Sequence, residues 1–217
     1  MSIRHLLFLP FLLAACGERP ATQPEDTYPW QITVTDPAHS RVFGITLGQT
    51  RLGEAAAMLG RDYRLALFEE PGGRLSLEVY YKEITRGGLS GRLIMILDAG
   101  EDELAGIRDR AARREVLETG NVRYTLGEPD RLATADRVIV GLDYIPYVNL
   151  DADTIEARFG PPAERIRLDD RRQHWLYPDQ GLDILLNADG KELLQYVPPS
   201  AFEALVLPLR QAARTPE

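Results

Sequence analysis

A single cysteine, Cys16, stands in 217 residues, so no intrachain disulfide can form and a Cys-based zinc cage is excluded. Histidine is almost as scarce: only His39 and His174 lie beyond the first 15 residues. Basic residues are outnumbered, 25 Lys and Arg against 33 Asp and Glu, which argues against a nucleic-acid-binding surface. Neither a phosphate-cradling Gly-Lys-Ser/Thr loop nor a dinucleotide fingerprint occurs. Apolar runs are short, and none approaches the roughly 20 residues of a spanning helix. What remains is a chain with 44% hydrophobic residues, long enough for one domain or two small ones with a real core.

Residues 1–15 join a short basic start (Arg4, His5) to the apolar run Leu6–Leu13 and two alanines, the layout of a secretory signal peptide. Cys16 comes next. Leu13-Ala14-Ala15-Cys16 resembles the lipobox of bacterial lipoproteins; the competing reading is a buried cysteine that follows an apolar run by chance. The resemblance implies cleavage between Ala15 and Cys16, acylation of the thiol, and anchoring by several acyl chains, each buried methylene contributing roughly 0.8 kcal/mol. Gly17, where an Asp would signal inner-membrane retention, implies the outer membrane, periplasmic side. Cleavage removes only Arg4 among charged residues, leaving 24 basic against 33 acidic side chains and a net charge of −9. An anionic membrane surface repels such a body, so the tether is lipid and not electrostatic. Residues 16–27 carry the lipidated cysteine and two prolines without an apolar pattern. They are expected to form a linker reaching about 20 Å.

The folded body is expected from Tyr28, as a first α/β unit over 28–146, a second over 147–209, and a tail over 210–217. Trp30–Thr35 alternates as a strand. Asp151 is a good N-cap, Ile155 and Phe159 share a helix face, and Gly160-Pro161 ends the helix. Strand-like runs follow at 174–177, 182–186 and 192–197, with a short one at 165–168. A similar pattern precedes it by about one hundred residues: a helix capped by Thr50 and closed by Gly60, then strands at 75–81 and 92–97. Between them the charge gradient from Asp98–Glu103 to Arg108–Arg114 predicts a long helix over 98–118, and 138–145 a strand. Ser200–Glu203 opens a last short helix that Pro208 is expected to end.

Asp151, Ile155, Phe159, Gly160, Pro161, Trp175, Tyr177, Asp189, Gly190 and Lys191 together resemble the SmpA/OmlA-type domain of BamE, a lipoprotein of outer-membrane barrel assembly. The likeness covers about residues 147–197 and is weaker in the first copy. The resemblance implies an α+β fold of two such helix-plus-antiparallel-meander units in tandem, with an intervening helix and strand. It also implies a non-catalytic role in the envelope, binding another envelope protein. The β-lactamase inhibitory proteins are similar in fold, and the alternative they imply is a small-ligand or inhibitor module. A hydrolase with an unrecognised site is the third possibility.

Catalytic chemistry finds little material. His39 sits in Pro37–Arg41, and His174 is expected to face away from Trp175 towards solvent; Gly87–Gly91 is not a nucleophile elbow. Asp151 and Asp153 lack the rest of a calcium loop and suit a helix start. Asp169-Asp170-Arg171-Arg172 reads as a hairpin turn or a recognition patch. No cofactor, metal or catalytic residue is expected. The candidate binding face is aromatic with flanking arginine: Tyr80, Tyr81, Tyr144, Tyr147, Trp175 and Tyr177 with Arg171 and Arg172. Ordinary core packing of these aromatics is the competing reading.

Overall fold

The computed structural model describes residues 27–214. The signal peptide, Ala15, Cys16 and most of the linker lie outside the described residues, as do 215–217. The chain order is β1 (Thr33–Asp36), β2 (His39–Val42), β3 (Ile45–Thr46), α1 (Leu52–Leu59), β4 (Arg64–Glu69), β5 (Leu75–Arg86) and β6 (Leu89–Leu97). Then come α2 (Glu101–Asp109), β7 (Arg113–Val116), β8 (Val122–Thr125), α3 (Glu128–Ala133), β9 (Ile139–Pro146) and α4 (Ala152–Phe159). The chain closes with β10 (Glu164–Arg167), β11 (Arg172–Tyr177), β12 (Leu182–Asn187), β13 (Leu193–Tyr196) and α5 (Phe202–Arg214).

The expected tandem of two BamE-like units is overturned. Ten strands form one antiparallel sheet in the order β10-β11-β12-β13-β9-β6-β5-β4-β8-β7, beside a three-stranded β1-β2-β3 sheet, and strand outweighs helix 40% to 28%. The join is β9. It pairs with β13 through Tyr144–Leu194 and with β6 through Leu93–Tyr144, so both halves share one hydrogen-bonded ladder.

Strand alternation sorts the sheet into two faces. One carries Leu77, Val79, Tyr81, Leu93, Met95, Leu142, Tyr144, Trp175, Tyr177, Ile184, Leu194 and Tyr196, all buried in the principal core with α1 and α4 residues. The other carries a smaller apolar cluster, Ile166, Leu176, Phe202 and Val206, where α5 docks.

One local device occurs twice. Helices α1 and α4 each have eight residues and lie one hundred positions apart. Each ends on a glycine with positive φ, Gly60 at 96° and Gly160 at 81°. A buried tyrosine then donates to each glycine's carbonyl: Tyr81 Oη to Gly60 O at 2.8 Å, and Tyr177 Oη to Gly160 O at 3.1 Å. Burial pushes both tyrosines up to about 12, so the hydroxyls stay protonated donors. Either Tyr→Phe change leaves a helix-terminal carbonyl unpaired, with an expected loss of about 1 kcal/mol. Urea midpoints check it, and equal stability of Tyr81→Phe, Tyr177→Phe and the parent would remove the hydrogen bonds from the account.

Three local expectations are corrected. Arg51 takes the N-cap position of α1, its N–H held by Glu54 Oε2 at 2.8 Å, while Thr50 Oγ1 accepts from Thr46 N instead. The long helix over 98–118 stops at Asp109; Ala112 N–H donates to Thr125 O, and 113–116 becomes β7, an edge strand of the sheet. The helix through Pro208 continues to Arg214. Proline there frees the Ala204 carbonyl, and both residues are exposed, so water can satisfy it.

Candidate functional site

The aromatic face does not assemble. Tyr81, Tyr144, Trp175 and Tyr177 are core residues, none more than 5% exposed, and Tyr80 is half-buried. Only Tyr147 is exposed, and its hydroxyl donates to Lys82 O at 2.6 Å. The reason is topological: β5, β9 and β11 are interior strands, so their large rings fill the principal core. Arg171 and Arg172 are exposed at the β11–β12 end, paired with Asp189 and Asp169. Asp169 Oδ1 also accepts the Arg171 and Arg172 N–H groups, which supports the hairpin-turn reading of that run. Asp151 Oδ1 accepts from Thr154 N at 2.8 Å as an N-cap; the Thr154 side chain, and then this backbone bond, hold its carboxyl below the usual range. His39 lies on β2 with Nδ1 2.9 Å from Asp36 Oδ2.

His174 reverses its expectation. It does face away from Trp175, yet it is only 4% exposed, because α5 covers that side of the sheet. Its Nδ1 lies 2.7 Å from Oδ2 of Asp183, which is fully buried on β12. An ionised carboxylate only accepts, so Nδ1 carries the proton and donates.

Asp183 belongs to a larger feature that sequence reasoning missed. Three strands carry an acid between two buried side chains: Leu77-Glu78-Val79 on β5, Leu142-Asp143-Tyr144 on β9, and Leu182-Asp183-Ile184 on β12. In each, alternation sends the flanking residues to the principal core and the acid to the opposite face. Register aligns them further: Asp183 opposes Gln195 on β13, and Gln195 opposes Asp143. The signal was present, an acid repeated inside apolar strand triplets, but only the sheet order brings the three together.

A cleft of about 480 Å³ opens over this seam. Its floor includes Glu78, Ile96, Gly141, Asp143 and Gln195, and Ala201 with Ala204 and Leu205 of α5 forms a wall. Gly141 keeps the floor low: a Cβ there would lie 3.1 Å from Ile96 Cδ1. Gln195 Nε2 donates to Asp143 Oδ1 at a long 3.3 Å, and Ser76 Oγ donates to Glu78 Oε1 at 2.6 Å. Glu70 and Arg74 form an ion pair at the mouth. Burial pushes the Asp143 carboxyl up to about 7, against the Gln195 bond and with added repulsion from Glu78 and Asp183. Burial likewise raises Glu78, opposed by the Ser76 bond. The arrangement therefore offers apolar contact, hydrogen-bonding groups and two half-buried acids.

Among the described residues, no group of three or more His, Cys, Asp or Glu is disposed to hold a metal ion. No helix among them is long and apolar enough to cross a membrane. Comparison with family models, curated proteins and solved structures finds no match to this chain.

Proposed function

We propose that the chain is a lipoprotein anchored through Cys16 to the periplasmic side of the outer membrane, and that its body is a non-catalytic module binding another envelope protein. The observation that carries the anchor is Leu13-Ala14-Ala15-Cys16, placed directly after a basic start and an apolar run. The cleft supports the binding role, since half-buried acids beside an aliphatic wall are recognition chemistry.

The start of the body also fits a tethered module. Gln31 Oε1 accepts from both Thr27 N and Tyr28 N at 2.9 Å. Tyr28 stacks on Trp30 with ring centroids 4.9 Å apart, and the Arg158 guanidinium lies 4.8 Å over the Trp30 ring. Trp30 meets Phe159 edge-on, while Tyr196 Oη donates to Pro29 O at 2.9 Å. Gly87 leaves room for Tyr28, because a Cβ there would lie 2.7 Å from Tyr28 Cε1. Trp30 packs against the principal core, whereas the cleft opens on the other sheet face.

Cys16→Ala is expected to abolish metabolic acyl labelling and to move the protein from the membrane pellet to the soluble fraction. A variant that still pellets and labels would overturn the anchor. A catalytic activity of the purified body in a broad hydrolase screen, retained in Cys16→Ala, would overturn the non-catalytic reading.

A further inference from the structure

We infer that the cleft between α5 and the β5-β6-β9 floor receives a lysine side chain, presented with aliphatic neighbours by a segment of the partner protein. The inference deepens the binding-module reading and rests on it.

Two features of the cleft point to this chemistry. The first is charge without compensation. Four acids line it, Glu70, Glu78, Asp98 and Asp143, against one base, Arg74, which is already committed to Glu70. Among the described residues no ion pair joins a basic side chain to Glu78 or Asp143, although Arg74 attracts Glu78 from the mouth. Among the described residues the side-chain partner of Asp143 is Gln195, at a long 3.3 Å to Oδ1. Beyond Gln195, Asp183 is different, because it holds His174. Half-buried acids such as Glu78 and Asp143 gain from a partner: a base, a metal or a proton. Here the protein supplies neither of the first two, and an incoming cation would replace the proton.

The second feature is shape. The floor beside Asp143 is Ile96 and the side-chain-free Gly141, with Leu75 and Leu205 along the flanks. A long aliphatic stem can lie on these surfaces while its charged head reaches the acids, the division of labour that lysine provides. A divalent ion would instead want several oxygens converging at close range. Glu78 and Asp143 stand on either side of β6, which suits a compact ammonium with three donors more than a planar fork seeking one carboxylate.

Binding of an ammonium to Asp143 displaces its proton, so affinity should rise with pH. Every charged group facing Asp143 bears on this: Glu78, Glu70 and Arg74 of β5 and its preceding turn, Asp98 after β6, and Asp183 with His174 on β12 and β11. Ala201 and the α5 residues on the cleft, Ala204 and Leu205, are uncharged. Apart from Arg74, which is already paired, and His174, which serves Asp183, all the charges are negative, and all favour a cation over the proton-free empty cleft.

The test uses the purified full chain, from whichever fraction holds it, and the peptide acetyl-Val-Leu-Lys-Leu-Val-amide, followed by amide chemical-shift changes. The norleucine analogue, which keeps the stem and lacks the ammonium, is the control. The lysine peptide is expected to shift amides of β5, β9 and α5, and to bind at least tenfold more tightly than the norleucine form. Its affinity should fall severalfold from pH 8 to pH 5.5. Asp143→Asn should weaken it at least tenfold without lowering the thermal midpoint. Ala204→Lys, at an exposed helix position, should fill the site from within and block the peptide. Equal binding of lysine and norleucine peptides, or binding indifferent to both variants, overturns the inference. Binding of n-hexylammonium with none of the peptide overturns the protein-partner assignment. The anchor is judged separately by Cys16→Ala, so its failure leaves this result readable.

Discussion

Asp183→Ala is expected to cost about 3–5 kcal/mol, a large share of the roughly 5–15 kcal/mol that holds a domain of ordinary stability together. The carboxylate is fully buried and holds the Nδ1–H of His174, itself only 4% exposed. Alanine removes one partner and leaves the other buried donor with nothing to accept from it, the costly way to break a polar pair. Water cannot enter cheaply, because His174 is 4% exposed and Asp183 fully buried, on the sheet face where Leu176 clusters with Phe202 and Val206 of α5. The double replacement His174→Leu with Asp183→Leu is expected to recover most of the loss, since apolar substitutes remove both desolvation penalties together. Denaturant midpoints of the two single variants and the double variant measure the coupling directly. If Asp183→Ala stayed within 1 kcal/mol of the parent, the pair would carry no energetic weight.

How much of this was readable from the chain depends on how local each signal is. The helix at 152–159 was legible because Asp151, Ile155, Phe159 and Gly160-Pro161 mark cap, face and stop within ten residues. Strand identity was legible for β5, β6, β9 and β11 to β13, where alternation or apolar runs suffice. Strand neighbours were not. Nothing local states that β9 sits between β6 and β13, yet that one placement turns an expected pair of units into a continuous sheet. The charge gradient over 98–118 was a true helix signal only for its first half. Beyond Asp109, pairing with β8 provides Arg113–Val116 with backbone partners that outweigh helix propensity.

The same limit governs the candidate site. Alternation correctly turned His174 away from Trp175, but exposure on that face depended on α5, which arrives from the far end of the chain. The aromatic residues are ambiguous in sequence, since interface anchors and core packing use the same side chains. Their interior strands decide for the core. The acidic seam is written in three short triplets, each unremarkable alone, and becomes a feature only when β5, β9 and β12 share a face.

Asp143→Asn is expected to stabilise the protein above neutral pH and to do little at pH 4. The sign follows from linkage. Burial holds the folded carboxyl at about 7, while the unfolded chain titrates near the ordinary value of 3.8. Between those values the folded state binds the proton and the unfolded state does not, so stability contributed by the neutral acid is full below about pH 4 and is lost as pH rises through 7. Asparagine keeps the shape, and its Oδ1 can still accept from Gln195, but it never ionises. The gap between variant and parent should therefore open from pH 4, reach on the order of 2–4 kcal/mol by pH 8 at about 1.4 kcal/mol per unit, and then level off. Thermal or urea midpoints of both proteins at pH 4, 6 and 8 check it. A gap that is constant across that range, or of opposite sign, would mean that Asp143 is solvated and ionised in the folded state. The stabilising variant is also the one expected to lose the lysine peptide, so gain of stability and loss of binding should appear in the same molecule. That opposition is how a binding site differs from a packing defect: ionising the buried acid costs stability above neutral pH, and a cation-binding role is what such a cost would serve.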